Sequence, residues 1–153
     1  MGEPNDSALN IPDEGYFTEN YLLFLLAQAS ERSSNDFHKE LEKDGVSVST
    51  WRILASLYPN VVLTVGALAG KCLLKQPTLT RTLDRLENGG LVRREGSKKD
   101  RRSVLIALTN TGRKLAGEKV TLAKDHETRI LAHYSDQQIV AIKQDLIGLI
   151  ERL

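Results

Sequence analysis

The chain has 153 residues, 41% of them hydrophobic and 27% charged, with a formal net charge of +1. That suits one domain, or one domain with a dimerisation extension; the apolar share is enough for a real core and the charged share is ordinary for a soluble protein. A single cysteine, Cys72, excludes an intramolecular disulfide framework and a cysteine-rich zinc site, and the longest apolar run, Tyr21 to Ala27, is far too short to span a membrane.

The opening residues, MGEPNDSALNIPDEG, are acidic and turn-rich, without the basic start or apolar stretch of a secretory signal. The expectation is a cytoplasmic bacterial protein with no membrane partner. Charge is unevenly spread. Residues 1–50 hold three lysines and arginines against ten carboxylates, whereas residues 75–102 hold nine against four. One basic module in a near-neutral chain is what local binding to phosphate requires.

Residues 1–17 read as a tail punctuated by Pro4, Pro12 and Gly15. A first helix is expected from Thr18, its N-cap, to Lys43, with Leu22, Leu25, Leu26, Ala29, Phe37 and Leu41 as its apolar stripe and Asp44-Gly45 as its stop. It is longer than a compact three-helix unit needs, so residues 18–45 are a candidate dimerisation helix. A second helix buries Trp51, Leu54, Ala55, Leu57 and Tyr58 and stops at Pro59-Asn60. Thr64 caps a short third helix carrying Val65, Leu68, Ala69 and Cys72.

A turn through Leu73, Leu74, Lys75 and Gln76 leads into a fourth helix, with Pro77 in its first turn, where a missing N–H is no loss. Leu79, Leu83 and Leu86 share one face of it, and Pro77, Thr78, Arg81 and Arg85 fall on the opposite side. Small polar groups followed by two arginines suit a major groove, because arginine can pair bidentately with guanine and threonine can touch phosphate, a base edge or a thymine methyl. The third and fourth helices thus form a helix-turn-helix.

Asn88-Gly89-Gly90 ends that helix. Leu91 to Glu95 and Ser103 to Leu108 read as two strands. The hairpin tip between them holds Lys98, Lys99, Asp100, Arg101 and Arg102. It buries little and suits a minor groove, whose negative potential attracts arginine. Asp100 is placed to orient Arg102.

Thr109 caps a fifth helix running to about His133, sparse in apolar residues and highly charged from Glu118 to Arg129. Ser135 caps the last helix, with Gln138 completing a capping box. Ile139, Ile142, Leu146, Leu149 and Leu153 then recur at the 3.5-residue spacing of a helix–helix seam. The organisation is an N-terminal tail over 1–17, a dimerisation helix over 18–45, a DNA-binding unit over 46–110 and dimerising helices over 111–153. The fold class is mainly α with a small β-hairpin wing (α+β), a winged helix-turn-helix joined to a helical dimerisation domain.

Asp100, Arg102, Leu108-Thr109 and Gly112 match the D-x-R…L-T-x-x-G signature of the MarR family of bacterial winged-helix regulators, which the chain resembles. Residues 76–94, QPTLTRTLDRLENGGLVRR, are similar to that family's recognition helix and first wing strand, nearest to its SlyA-like branch. The resemblance covers essentially everything after the tail. It implies a homodimeric repressor on a palindromic, double-stranded DNA operator. Thr78 and Arg81 would read bases, Arg102 held by Asp100 would enter the minor groove, and Gln76, Thr80, Arg85 and Arg101 would make phosphate or accessory contacts; Pro77, Lys98 and Lys99 complete the expected DNA-binding set.

The resemblance further implies a small aromatic effector, or a CoA thioester, in a cleft for which Ser30, Ser34, His38, Trp51 and Arg52 are the candidates. A redox response through Cys72 is an alternative, although its apolar neighbours favour an inert thiol. An effector-independent DNA-binding regulator is another. The three histidines are scattered, and no phosphate loop, H-E-x-x-H or nucleophile elbow is present. No enzyme, cofactor, catalytic residue or metal site is expected.

Overall fold

The computed structural model describes residues 16–96 and 103–153. In chain order the elements are α1 (Phe17–Asn20), α2 (Leu22–Lys43), α3 (Val48–Leu57), β1 (Leu63–Thr64), α4 (Val65–Cys72), α5 (Gln76–Asn88), β2 (Val92–Gly96), β3 (Val104–Leu108), α6 (Asn110–Ile130) and α7 (Asp136–Ile150). The described residues divide into two compact units, those up to Asp36 and those from Phe37 onward.

In the first unit the expected single helix is interrupted. Tyr21 is extended (φ −78°, ψ 114°) and separates α1 from α2, and Tyr16 rather than Thr18 precedes the first turn. The break costs little hydrogen bonding, because the Tyr21 carbonyl accepts from the N–H groups of Phe24 and Leu25 and so starts α2. The Phe17 and Tyr21 rings stack across it at 4.9 Å. Leu22, Leu23, Phe24 and Leu25 are exposed, so the N-terminal half of the expected stripe is uncovered.

The second unit has one main core. Ile53, Leu54 and Leu57 of α3, Leu68 and Cys72 of α4, Leu79, Leu83 and Leu86 of α5, Val92, Ile106 and Leu108 of the sheet, and Ala116 of α6 pack together. Each fully buried leucine stabilises this core by roughly 1.5–3 kcal/mol. The sheet is antiparallel in the order β1-β3-β2, with Val92 opposite Leu108 and Gly96 opposite Val104. The two-residue β1 is an addition to the expected hairpin, pairing Leu63 with Ile106 and Thr64 with Leu105.

A smaller cluster joins Phe37, Leu41 and Val46 to Trp51 of α3 and to Leu122 and Ala123 of α6. Beside it the almost fully buried Lys119 pairs with Asp44, just past the end of α2. Caps fall largely where the sequence puts them. The Thr64 hydroxyl accepts from Ala67 N–H and Thr109 from Gly112 N–H, and Ser135 with Gln138 forms the full capping box. The last helix ends at Ile150, so Leu153 lies beyond the seam rather than on it.

Candidate nucleic-acid interface

The site is built on α5. Leu79, Leu83 and Leu86 are 0%, 1% and 4% exposed, which fixes the helix rotation and turns the opposite face outward. Gln76, Pro77, Thr78, Thr80, Arg81 and Arg85 all lie on exposed positions. Thr80 and Thr82 donate their hydroxyls back to the carbonyls of Gln76 and Thr78, at 3.0 and 2.8 Å. Arg85 reaches across to α3, where its guanidinium donates to Thr50 Oγ1 at 3.3 Å. No described residue is paired with the Arg81 side chain, which projects from the middle of the exposed face.

The preceding turn sets where α5 begins. Leu73 takes a left-handed conformation (φ 53°, ψ 39°), and the Leu74 N–H returns to the Ala69 carbonyl at 3.2 Å. Leu74 thereby packs on the core while Leu73 stays exposed. At its other end α5 closes through Gly90 (φ 68°). The Gly90 N–H bonds the Glu87 carbonyl and the Leu91 N–H bonds the Leu86 carbonyl, which satisfies two terminal acceptors and directs the chain straight into β2.

The hairpin is then braced from both sides. Arg94 of β2 forms ion pairs with Asp84, at 2.7 Å, and with Glu87, both on α5, and the carboxylate of Asp84 raises the Arg94 pKa further. Arg93 pairs with Glu95 at 2.5 Å and donates to the Leu108 carbonyl at 2.6 Å. At the base, Thr109 Oγ1 donates to the Gly90 carbonyl at 2.6 Å. The tip residues Lys98, Lys99, Asp100, Arg101 and Arg102 lie outside the described residues.

Of the effector candidates, His38 and Trp51 come together on one ring. Trp51 meets Phe37 edge-on at 5.3 Å, and His38 lies 6.4 Å from it. His126 of α6 joins them, 5.5 Å from Phe37. Phe37 and His126 escape a sequence reading because they lie far apart in the chain. Arg52 points elsewhere and donates to the Cys72 carbonyl at the end of α4, at 3.5 Å. Ser30 and Ser34 belong to the other unit, where Ser30 is exposed and Ser34 half-buried.

Cys72 is 1% exposed, and burial pushes its pKa up, against smaller lowering contributions from Ser56 and Arg52. A buried thiol held protonated is a poor target for peroxide. Among the described residues no helix is long and apolar enough to cross a membrane.

A helix-turn-helix with an outward arginine face, followed by a β-hairpin, defines a winged-helix DNA-binding regulator. The comparisons agree. Residues 46–104 match the MarR family. The chain is 32% identical over 135 residues to the organic hydroperoxide resistance transcriptional regulator of Bacillus subtilis, covering 88% of this chain and 90% of that protein. A MarR family transcriptional regulator from Silicibacter pomeroyi DSS-3 superposes with a TM-score of 0.79 at 36% identity, covering 90% of this chain and 98% of that one. NadR in complex with 4-hydroxyphenylacetate superposes with a TM-score of 0.76 at 27% identity, covering 97% and 96%. The chain belongs to the MarR family of transcriptional regulators.

Proposed function

We propose that the protein is a homodimeric repressor that reads a palindromic operator and leaves it when a small aromatic compound binds. The observation that carries this reading is the outward face of α5, with Thr78 and Arg81 held over three buried leucines. Thr78 and Arg81 read base edges. Gln76, Pro77, Thr80 and Arg85 contact or approach the backbone, and Arg85 is already steadied by Thr50. By sequence alone the tip residues Lys98, Lys99 and Arg101 follow the phosphates, and Asp100 aims Arg102 at the minor groove.

Dimerisation is supported by uncovered apolar surface in each unit. On α7, which has no buried residue, Val140, Ile142, Leu146, Ile147 and Ile150 are exposed, and in the first unit Leu22 to Leu25 are exposed. Contiguous exposed apolar side chains mark interaction surfaces. A two-fold dimer covers them and presents two copies of α5 to successive turns of the groove.

Aromatic release is supported by the Phe37, Trp51, His38 and His126 rings and by the 4-hydroxyphenylacetate complex of the NadR neighbour. Rings of this kind can stack on an aromatic ligand while the imidazoles bond a polar substituent. The hydroperoxide-resistance relative is the one observation toward a redox response, and the burial of Cys72 speaks against its thiol as the sensor.

The test is a selection from random duplex DNA with the purified protein. It should recover an inverted repeat with half-sites about 10 base pairs apart, centre to centre. Recovery of unrelated sequences would refute the operator reading. Aromatic acids and CoA thioesters are then screened for release of the recovered duplex.

A further inference from the structure

We infer that Arg94 is a positioning residue for DNA binding: by holding Asp84 and Glu87 it cancels the carboxylates of the recognition helix and leaves Arg81 free for DNA. The inference rests on the reading of α5 as the DNA-facing helix.

The reason begins with charge. From Gln76 to Asn88 the helix carries Arg81 and Arg85 against Asp84 and Glu87, a net charge of zero. A neutral helix gains nothing from approaching phosphates, and its carboxylates oppose the approach. Asp84 is also three residues from Arg81, a spacing at which the two side chains are neighbours on the helix surface. Left alone, Asp84 is the natural partner of Arg81 and would draw it away from a base edge.

β2 supplies a different partner. Alternate residues of a strand share a face, so Arg94 leaves on the same side as Val92, which is 2% exposed in the core against α5. Arg93 and Glu95 leave on the opposite side and pair with each other. The Arg94 guanidinium then meets both acids with separate nitrogens, Nη2 to Asp84 Oδ1 at 2.7 Å and Nη1 to Glu87 Oε2. Lysine offers no such fork. With both acids occupied, Arg81 is paired with no described residue. The same clamp ties the strand that leads into the hairpin tip to the recognition helix, so the two DNA-facing elements share one anchor.

The experiment measures affinity and its salt dependence on the tightest duplex that the native protein selects from a random pool, for R94Q, R94Q/D84N/E87Q, D84N/E87Q and R81A. R94Q should weaken binding at least tenfold with little change in salt slope, as Arg81 turns from its base edge to Asp84. The triple variant should return to within threefold of native. If R94Q does not fold, as judged by its melting curve, D84N/E87Q carries the test. It should bind within threefold of native, because Arg94 already cancels those acids.

Native-like binding by R94Q, a triple variant as weak as R94Q, or a tenfold gain in D84N/E87Q would each overturn the inference. R81A separates the two claims. If R81A binds as native, the reading of α5 itself fails. If R81A is weak while R94Q is native-like, only the role of Arg94 fails.

Discussion

Among the described glycines, Gly112 is the one where the structure leaves least room for a side chain. A Cβ added there would lie 1.8 Å from the Leu91 carbonyl oxygen and 2.8 Å from its carbon, both backbone atoms that cannot rotate aside. In G112A the first turn of α6 must therefore retreat by about 1.5 Å to reach ordinary contact. That movement strains the cap, where Thr109 N–H bonds Leu91 O at 3.1 Å and Thr109 Oγ1 bonds Gly90 O at 2.6 Å. Overpacking costs about 1–3 kcal/mol, and the two stretched hydrogen bonds cost about 1 kcal/mol each. The better helix propensity of alanine offsets about 1 kcal/mol. The net expectation is a loss of about 2–4 kcal/mol, or a fall in Tm of roughly 5–15 °C for a chain of this size. Gly117 of the same helix is the control, because its added Cβ would meet the Tyr58 ring no closer than 3.5 Å. G117A should be neutral or more stable by up to about 1 kcal/mol. Urea unfolding followed by helical circular dichroism compares the two. A G112A protein as stable as G117A would falsify the packing argument.

Two further outcomes follow from the same structure. D44A strands the ammonium of Lys119, which is 6% exposed, and should cost about 1–3 kcal/mol because Asp44 is itself half in solvent; K119M, which keeps the packing without the charge, should stay within about 1 kcal/mol of native. Urea unfolding that ranks K119M below D44A would contradict this. The double variant I142E/L146E puts charge on the uncovered face of α7 and should be monomeric at micromolar concentration by sedimentation equilibrium, where the native chain is expected to form the proposed dimer. A dimeric variant would remove α7 from the interface.

The helix α5 was legible because several local signals agree. Leucines at spacings of four and three, a proline in the first turn and a double glycine at the end each point to the same element. The hairpin was legible from its β-branched strands. What escaped the sequence depends on distance. β1 is two residues long and has no periodicity of its own; it exists only because β3 offers an edge. The break at Tyr21 carries neither proline nor glycine to announce it. The signature glycine Gly112 was visible as a letter, but its reason is the carbonyl of Leu91, brought there by the hairpin. The Lys119–Asp44 pair spans 75 residues, and the Phe37–His126 contact joins α2 to α6. Arg94 stood in plain view as one of two adjacent arginines, and only the strand's alternation shows which of them turns to α5.

α5 is proposed to read base sequence, and Arg81 tests this most directly. Random-pool selection should be run on native protein and R81A, with affinities measured on the native consensus duplex. R81A is expected to lose about 1–3 kcal/mol on that duplex and to relax base preference at one position in each half-site, leaving the other positions as they were. An R81A protein that selects the same consensus with undiminished preference at every position would contradict the assignment.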